Sequence, residues 1–132
     1  MPRQLFVNLP VQDLDRSVAF FTALGFSFNP QFTDENATCM IVSDDIFVML
    51  LVAPYFATFT RKPVSDAFRQ SEVLLALSYD SRAQVEEIVA KAVAAGAGTP
   101  VEAKDLGFMY QHGFEDLDGH QWEVFHMSAM PG

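Results

Sequence analysis

A single cysteine, Cys39, stands in 132 residues. That excludes an intramolecular disulfide framework and suits a reducing compartment, so the cytoplasm is the expected location. Basic residues are scarce as well: 8 Lys and Arg face 17 Asp and Glu, a formal net charge of −9. This balance argues against nucleic acid and anionic membrane surfaces as partners and favours a cationic ligand, although acidity often serves solubility alone. No apolar run is long enough to span a bilayer. The opening Met-Pro-Arg-Gln lacks the basic and apolar regions of a secretory signal. No Gly-rich phosphate loop is present, because Gly96-Ala97-Gly98 follows a helical stretch rather than opening one. No Ser or Cys nucleophile stands with a visible base.

What the chain has is apolar mass. Half its residues are hydrophobic and 13 are Phe, enough to fill one domain or two half-domains sharing a core. Leu5 to Val11 alternates as a strand, with Leu5, Val7 and Leu9 on one face and Phe6, Asn8 and Pro10 on the other. Asp13 is placed to cap a helix whose apolar positions are Leu14, Val18, Phe21 and Leu24, and Gly25 ends it. Phe26 to Phe32 reads as a second strand, and Thr38 to Val42 with Ile46 to Val52 as a hairpin turning at Asp44-Asp45.

Pro54 to Gln70 breaks the alternation, with Tyr55, Phe56 and Phe59 beside Arg61, Lys62, Arg69 and Pro63. It reads as a surface connection with one short helix, either covering a pocket mouth or packing its aromatics on the core. Val73 to Tyr79 starts another strand, and Ser81 to Ala95 is a helix with Val85, Ile88, Val89 and Ala92 on one stripe before Gly96. Thr99 to Glu102 reads as a weak strand. Gly107 to Glu115 and His120 to His126 form a hairpin around Asp118-Gly119, a strong two-residue turn signal.

The order strand, helix, three strands thus occurs twice: a first module over 1–53, a connector over 54–70 and a second module over 71–128. Asp13 and Asp80, and Gly25 and Gly96, hold matching places in the two halves. The expected fold class is α+β: two βαβββ modules forming a curved mixed half-barrel around a cleft, helices outside. Leu5, Val7, Leu9, Leu75 and Leu77 are then expected beneath the helices. Glu123, between Trp122 and Val124, is a carboxylate in an apolar strand and must be paired, solvated in a cleft or bound to a cation.

Two segments resemble a known superfamily. Phe6–Phe26 (FVNLPVQDLDRSVAFFTALGF) resembles the first module of the vicinal oxygen chelate superfamily, which includes glyoxalase I, bleomycin-resistance proteins, fosfomycin-resistance enzymes and extradiol dioxygenases. Phe114–Phe125 (FEDLDGHQWEVF) resembles its last hairpin, usually Asp-Pro-Asp-Gly followed by a strand carrying a Glu; here Leu117 replaces the Pro. The opening is similar to a bacterial branch described as predicted lactoylglutathione lyases. Members that need a divalent metal take their ligands from the first and last strand of each module. The resemblance maps those positions onto Phe6, Met49, Leu74 and Glu123, of which only Glu123 offers a hard or borderline donor. A catalytic metal needs about three protein ligands, so no metal cofactor is expected there.

If the loop at Asp118-Gly119 is even, His112 and Tyr110 share the face of Glu123, whereas a bulged three-residue loop inverts this. With an even loop the expected ligand-binding cleft holds Asn8, Glu72, Tyr110, His112 and Glu123, with Phe6, Met40, Met49 and Leu74 as apolar walls. Glu123 is then a metal ligand, a base or a polar anchor. His112 is a ligand, a proton shuttle, a partner of Glu123 or a plain strand histidine. His120 is expected exposed and His126 under a helix, and Cys39 is expected as a buried, inert thiol. The resulting expectation is a glyoxalase/bleomycin-resistance-type homodimer binding a small, partly apolar or cationic molecule. The alternatives are a metal-dependent lyase, isomerase or dioxygenase with relocated ligands, and an interaction protein with a filled cleft.

Overall fold

The structure, a computed structural model, describes residues 3–128, so Met1 and Pro2 of the opening stretch lie outside it. The chain forms two compact units, Met1–Ser65 and Asp66–Gly132.

The first unit runs β1 (Leu5–Val11), α1 (Leu14–Ala23), β2 (Ser27–Asn29), β3 (Ala37–Ile41), β4 (Ile46–Val52) and a short α2 (Ala53–Phe56). Its four-stranded sheet has the order β1-β4-β3-β2, with β1 parallel to β4 and the other pairs antiparallel. The local chemistry explains the helix ends. The Asp13 carboxylate accepts from the Arg16 N–H at 3.1 Å, and Gly25 takes φ +103° just past the end. The predicted strand over 26–32 is shorter than expected. Asn29 accepts from the Gln31 N–H at 2.9 Å and Pro30 opens a 3-10 turn over Pro30–Phe32, which ends the ladder.

The second unit runs β5 (Leu75–Ser78), α3 (Arg82–Ala94), β6 (Lys104–Asp105), β7 (Met109–Glu115) and β8 (Gln121–Met127), in the sheet order β5-β8-β7-β6. Ser81 caps α3 by accepting from the Gln84 N–H at 3.1 Å, while the Gln84 side chain accepts from the Asp80 N–H at 2.8 Å. The weak strand read over 99–102 lies instead at Lys104–Asp105, and only Gly98 bridges to Glu115 ahead of it. Each unit is therefore an open, mixed four-stranded sheet with a capped helix, an α+β architecture in which neither sheet closes into a barrel.

Burial follows helix length. Leu9, Val11, Met40, Val48 and Leu50 are buried on one face of the first sheet with Phe20 and Phe21 of α1. Val7 is half-buried and Leu5 is 56% exposed, against expectation. The ten residues of α1 reach about 15 Å, whereas the seven of β1 reach about 23 Å, so the start of the strand outruns its cover. Met40, expected in the cleft, pairs with Val48 on the helix face, and Cys39 pairs with Met49 on the other. Cys39 is buried, which pushes its thiol pKa up, as expected of an inert sulfur. In the second unit Trp122, Val124 and Phe114 are buried on the face that α3 covers, while Leu75 and Leu77 are only half-buried.

One carboxylate organises the last hairpin. Asp116 Oδ1 accepts from the backbone N–H of Asp118 at 2.9 Å and of His120 at 3.0 Å, and Oδ2 accepts from the Trp122 indole at 3.0 Å. Gly119 takes φ +88°, and a side chain there would meet the backbone of Ala67 and Phe68 within 3 Å. The turn is consequently longer than the two-residue form read from Asp118-Gly119. Glu115 pairs with Gln121 and five residues lie between them, an odd number.

Two stability results are expected. Leu50→Ala, at a position with no exposed surface, should cost about 2–5 kcal/mol in urea unfolding, and Leu77→Ala clearly less. Asp116→Ala should cost about 2–4 kcal/mol, because it removes the three hydrogen bonds that the buried carboxylate accepts. Desolvation raises the Asp116 pKa above the ordinary carboxylate value, opposed by the His120 charge and by the hydrogen bonds it accepts. A raised folded-state pKa gives stability that is full below the unfolded value and is lost as pH rises through the folded one. The advantage of the native chain over Asp116→Asn should therefore shrink from acid to neutral pH; an advantage that grows would contradict this.

Candidate functional site

Strand register decides which side chains meet. On the first sheet Phe6 pairs with Phe47 and Asn8 with Met49, so Phe6, Asn8 and Met49 share the face turned away from α1. The Phe6 and Phe47 rings stack with centroids 4.7 Å apart, and Phe6 is 44% exposed. Asn8 Nδ2 donates to the Phe6 carbonyl at 3.2 Å, which steadies its amide on this face.

On the second sheet the odd turn inverts the expected parity. Glu123 pairs with Gly113, while His112 pairs with Val124 and Tyr110 with His126. Paired residues point to the same side of a sheet, so His112 and Tyr110 lie on the α3 face and Glu123 on the open one. The expected grouping of Glu123 with His112 and Tyr110 is therefore corrected. Glu72 and Leu74 are corrected too. Both precede β5 and are exposed, and the residue that pairs with Glu123 across β5 and β8 is Ala76. The strand read from residue 73 starts two residues later than its hydrophobicity suggested. His126 sits on the helix face as expected, with Nδ1 at 3.0 Å from the Tyr79 carbonyl. His120, expected exposed, is half-buried, because its backbone is tied to Asp116.

Glu123 is half-buried, and its carboxylate has no hydrogen-bond or ion-pair partner among the described residues. Gly113 opposite it has no side chain to offer and no room for one. A Cβ there would fall 2.5 Å from the Trp122 carbonyl oxygen and 3.5 Å from Glu123 Oε2. The gap is a dent of about 10 Å³ lined by Pro100, Val101, Gln121 and Glu123 among others, close to the volume of one water site. The missing side chain at Gly113 thus keeps one flank of the carboxylate open. The signal that could have located this was Gly113 itself, a glycine inside a strand that often marks a close backbone approach.

A metal does not fit this donor set. Phe6 and Leu74 carry no donor, the Met49 thioether prefers soft ions, and the register turns His112 away from Glu123. Among the described residues no three His, Cys, Asp or Glu side chains come together. One carboxylate falls short of the three or so ligands that a catalytic ion requires.

Residues 3–43 match the family described as bleomycin resistance protein-like N-terminal. No curated protein matches the chain. Among solved structures, hypothetical protein SA1046 from S. aureus is 28% identical, with a TM-score of 0.80, over 96% of this chain and 95% of that one. A glyoxalase-related enzyme from Fulvimarina pelagi is 19% identical, with a TM-score of 0.82, over 99% of this chain and 92% of that one. A bleomycin resistance determinant encoded on the transposon Tn5 is 18% identical, with a TM-score of 0.66, over 97% of this chain and 100% of that one. Residues 3–43 are thus similar in sequence to the bleomycin resistance protein-like N-terminal family, and the whole chain shares the fold of these glyoxalase-related and bleomycin-resistance structures.

Proposed function

We propose that the protein binds a small, partly apolar molecule without transforming it, as a bleomycin-resistance-type binder, and that Glu123 anchors the cationic or hydrogen-bond-donating end of that ligand. One observation carries this reading. The Glu123 carboxylate is half-buried on an open sheet face, lacks a partner among the described residues and has Gly113 and Ala76 as its cross-strand neighbours. A carboxylate with apolar neighbours keeps much of its attraction for a cation or donor, because little competing water or protein polarity screens it. A few polar groups on an apolar surface are a usual design for small-molecule recognition. The net charge of −9 adds long-range attraction for a cation. The proposal extends to Phe6, Asn8 and Met49 on the open face of the first sheet, which offer a ring, an amide and an adaptable thioether to a ligand.

The test is thermal stabilisation and calorimetry with cationic aromatics, hydroxy and keto acids, and zinc, nickel and ferrous ions. Cationic aromatics should bind, and Glu123→Gln should weaken them about tenfold or more, the worth of one charge-assisted hydrogen bond. The metal ions should leave the melting temperature unchanged. Hits that ignore Glu123→Gln would remove its anchoring role. Binding of anions alone would point instead to the connector bearing Arg61, Lys62 and Arg69. A stoichiometric metal lost in Glu123→Ala would move the protein to a lyase, isomerase or dioxygenase reading.

The same reading has the protein acting as a homodimer in the cytoplasm, where its one thiol stays reduced. The first sheet ends at β1, with Leu5, Phe6 and Ile46 exposed around that edge, and such an edge needs cover. Light scattering at micromolar concentration should give twice the 14.7 kDa chain mass. A mass of one chain would refute the dimer.

A further inference from the structure

One cavity of the second unit lies on the face opposite Glu123. It encloses about 150 Å³ where the start of α3 meets the ends of β6, β7 and β8. Its polar walls are Arg82, Asp105, Tyr110, His126 and Ser128. Tyr110 and His126 are paired across β7 and β8 and so stand side by side on this face.

Three features shape what it can accept. First, the His126 ring has a fixed tautomer. The Tyr79 carbonyl can only accept, so the Nδ1 beside it at 3.0 Å carries the proton. In the neutral ring that leaves Nε2 as a lone-pair acceptor. Second, the Arg82 guanidinium lies 4.1 Å from the centre of the Tyr110 ring, and its charge is already answered. Asp105 Oδ2 is at 3.0 Å from Nη1 and Glu86 Oε1 at 3.4 Å from Nε. Two carboxylates against one guanidinium leave no net attraction for an anion. Third, the volume suits a single six-membered ring, since a cavity of about 150 Å³ accommodates benzene, and Phe108, Met109 and Tyr110 supply apolar wall.

We infer that this cavity is a second small-molecule site, selective against anions, for a single-ring aromatic that donates one O–H or N–H hydrogen bond to His126 Nε2. The loop beside it is held for that purpose by its own hydrogen bonds. Gly107 N–H donates to Asp105 Oδ1 at 2.9 Å, and the backbone N–H of Ser128 donates to the Phe108 carbonyl at 2.9 Å. The site is independent of the ligand proposed for Glu123, because the sheet itself separates the two faces.

Phenol is the probe, followed by amide and ring chemical-shift changes in the isotope-labelled full chain. Phenol should bind with a dissociation constant on the order of a millimolar, as expected for so few atoms. The perturbed amides should be those of Gly107 to Tyr110 and His126 to Ser128, and not those of Gly113 and Glu123. Anisole, which keeps the ring and loses the donor, should bind at least tenfold more weakly, as should benzoate. His126→Phe should abolish the phenol shifts. The anisole comparison needs no variant, so it decides the matter even if His126→Phe fails to fold. Equal binding of phenol and anisole, benzoate binding as tightly as phenol, or shifts centred on Glu123 would each overturn the inference.

Discussion

The Asp116 carboxylate is the constraint on which the second module depends. It is buried, and it gathers two turn amides and the Trp122 indole onto its two oxygens. A buried carboxylate is costly unless its lone pairs are used, and here its neighbours use them. In doing so the turn is held at five residues between Glu115 and Gln121. That odd count sets the parity of every side chain on β8 against those on β7. It places Trp122 and Val124 in the core with Phe114, and it sends Glu123 to the open face alone.

The helix sides of the two units follow a simpler rule. Each helix is capped at its first residue by a side-chain oxygen and closed by a glycine with positive φ, so its length is fixed locally. Length then fixes how much of the sheet is dry. In the first unit Leu9 and Leu50 lie under α1 and are buried, while Leu5 lies beyond it. Phe6 and Phe47 stack on the face turned away from α1, where Phe6 is 44% exposed.

The two faces of the second sheet are chemically distinct. The open face carries a carboxylate without a partner among the described residues, beside a glycine. The helix face carries a histidine whose tautomer is set by a carbonyl, next to a guanidinium that is already paired. On the readings proposed above, a cation suits the first and a hydrogen-bond donor without negative charge the second. This division comes from hydrogen bonds and charge pairs that are spent within the fold, because only the groups left over are free to recognise anything.

The sequence by itself determined the βαβββ repeat, the helix cap at Asp13, the glycine stops at Gly25 and Gly96, and the shared face of Phe6 and Asn8. These are local matters: alternation within one strand, 3.6-residue spacing within one helix, and residues that accept a positive φ. The resemblance it carries implied that, of Phe6, Met49, Leu74 and Glu123, only Glu123 offers a hard or borderline metal donor. Only the tertiary structure decided that His112 and Tyr110 turn away from Glu123, that Ala76 rather than Leu74 stands across from it, and that Met40 rather than Cys39 lies under α1. Each of these depends on pairing between strands, and a single residue more or less in a turn reverses it. The Asp118-Gly119 signal was read correctly as a turn. Its length was not legible, because it is set by Trp122 reaching back to Asp116, a contact across the hairpin that no local pattern encodes.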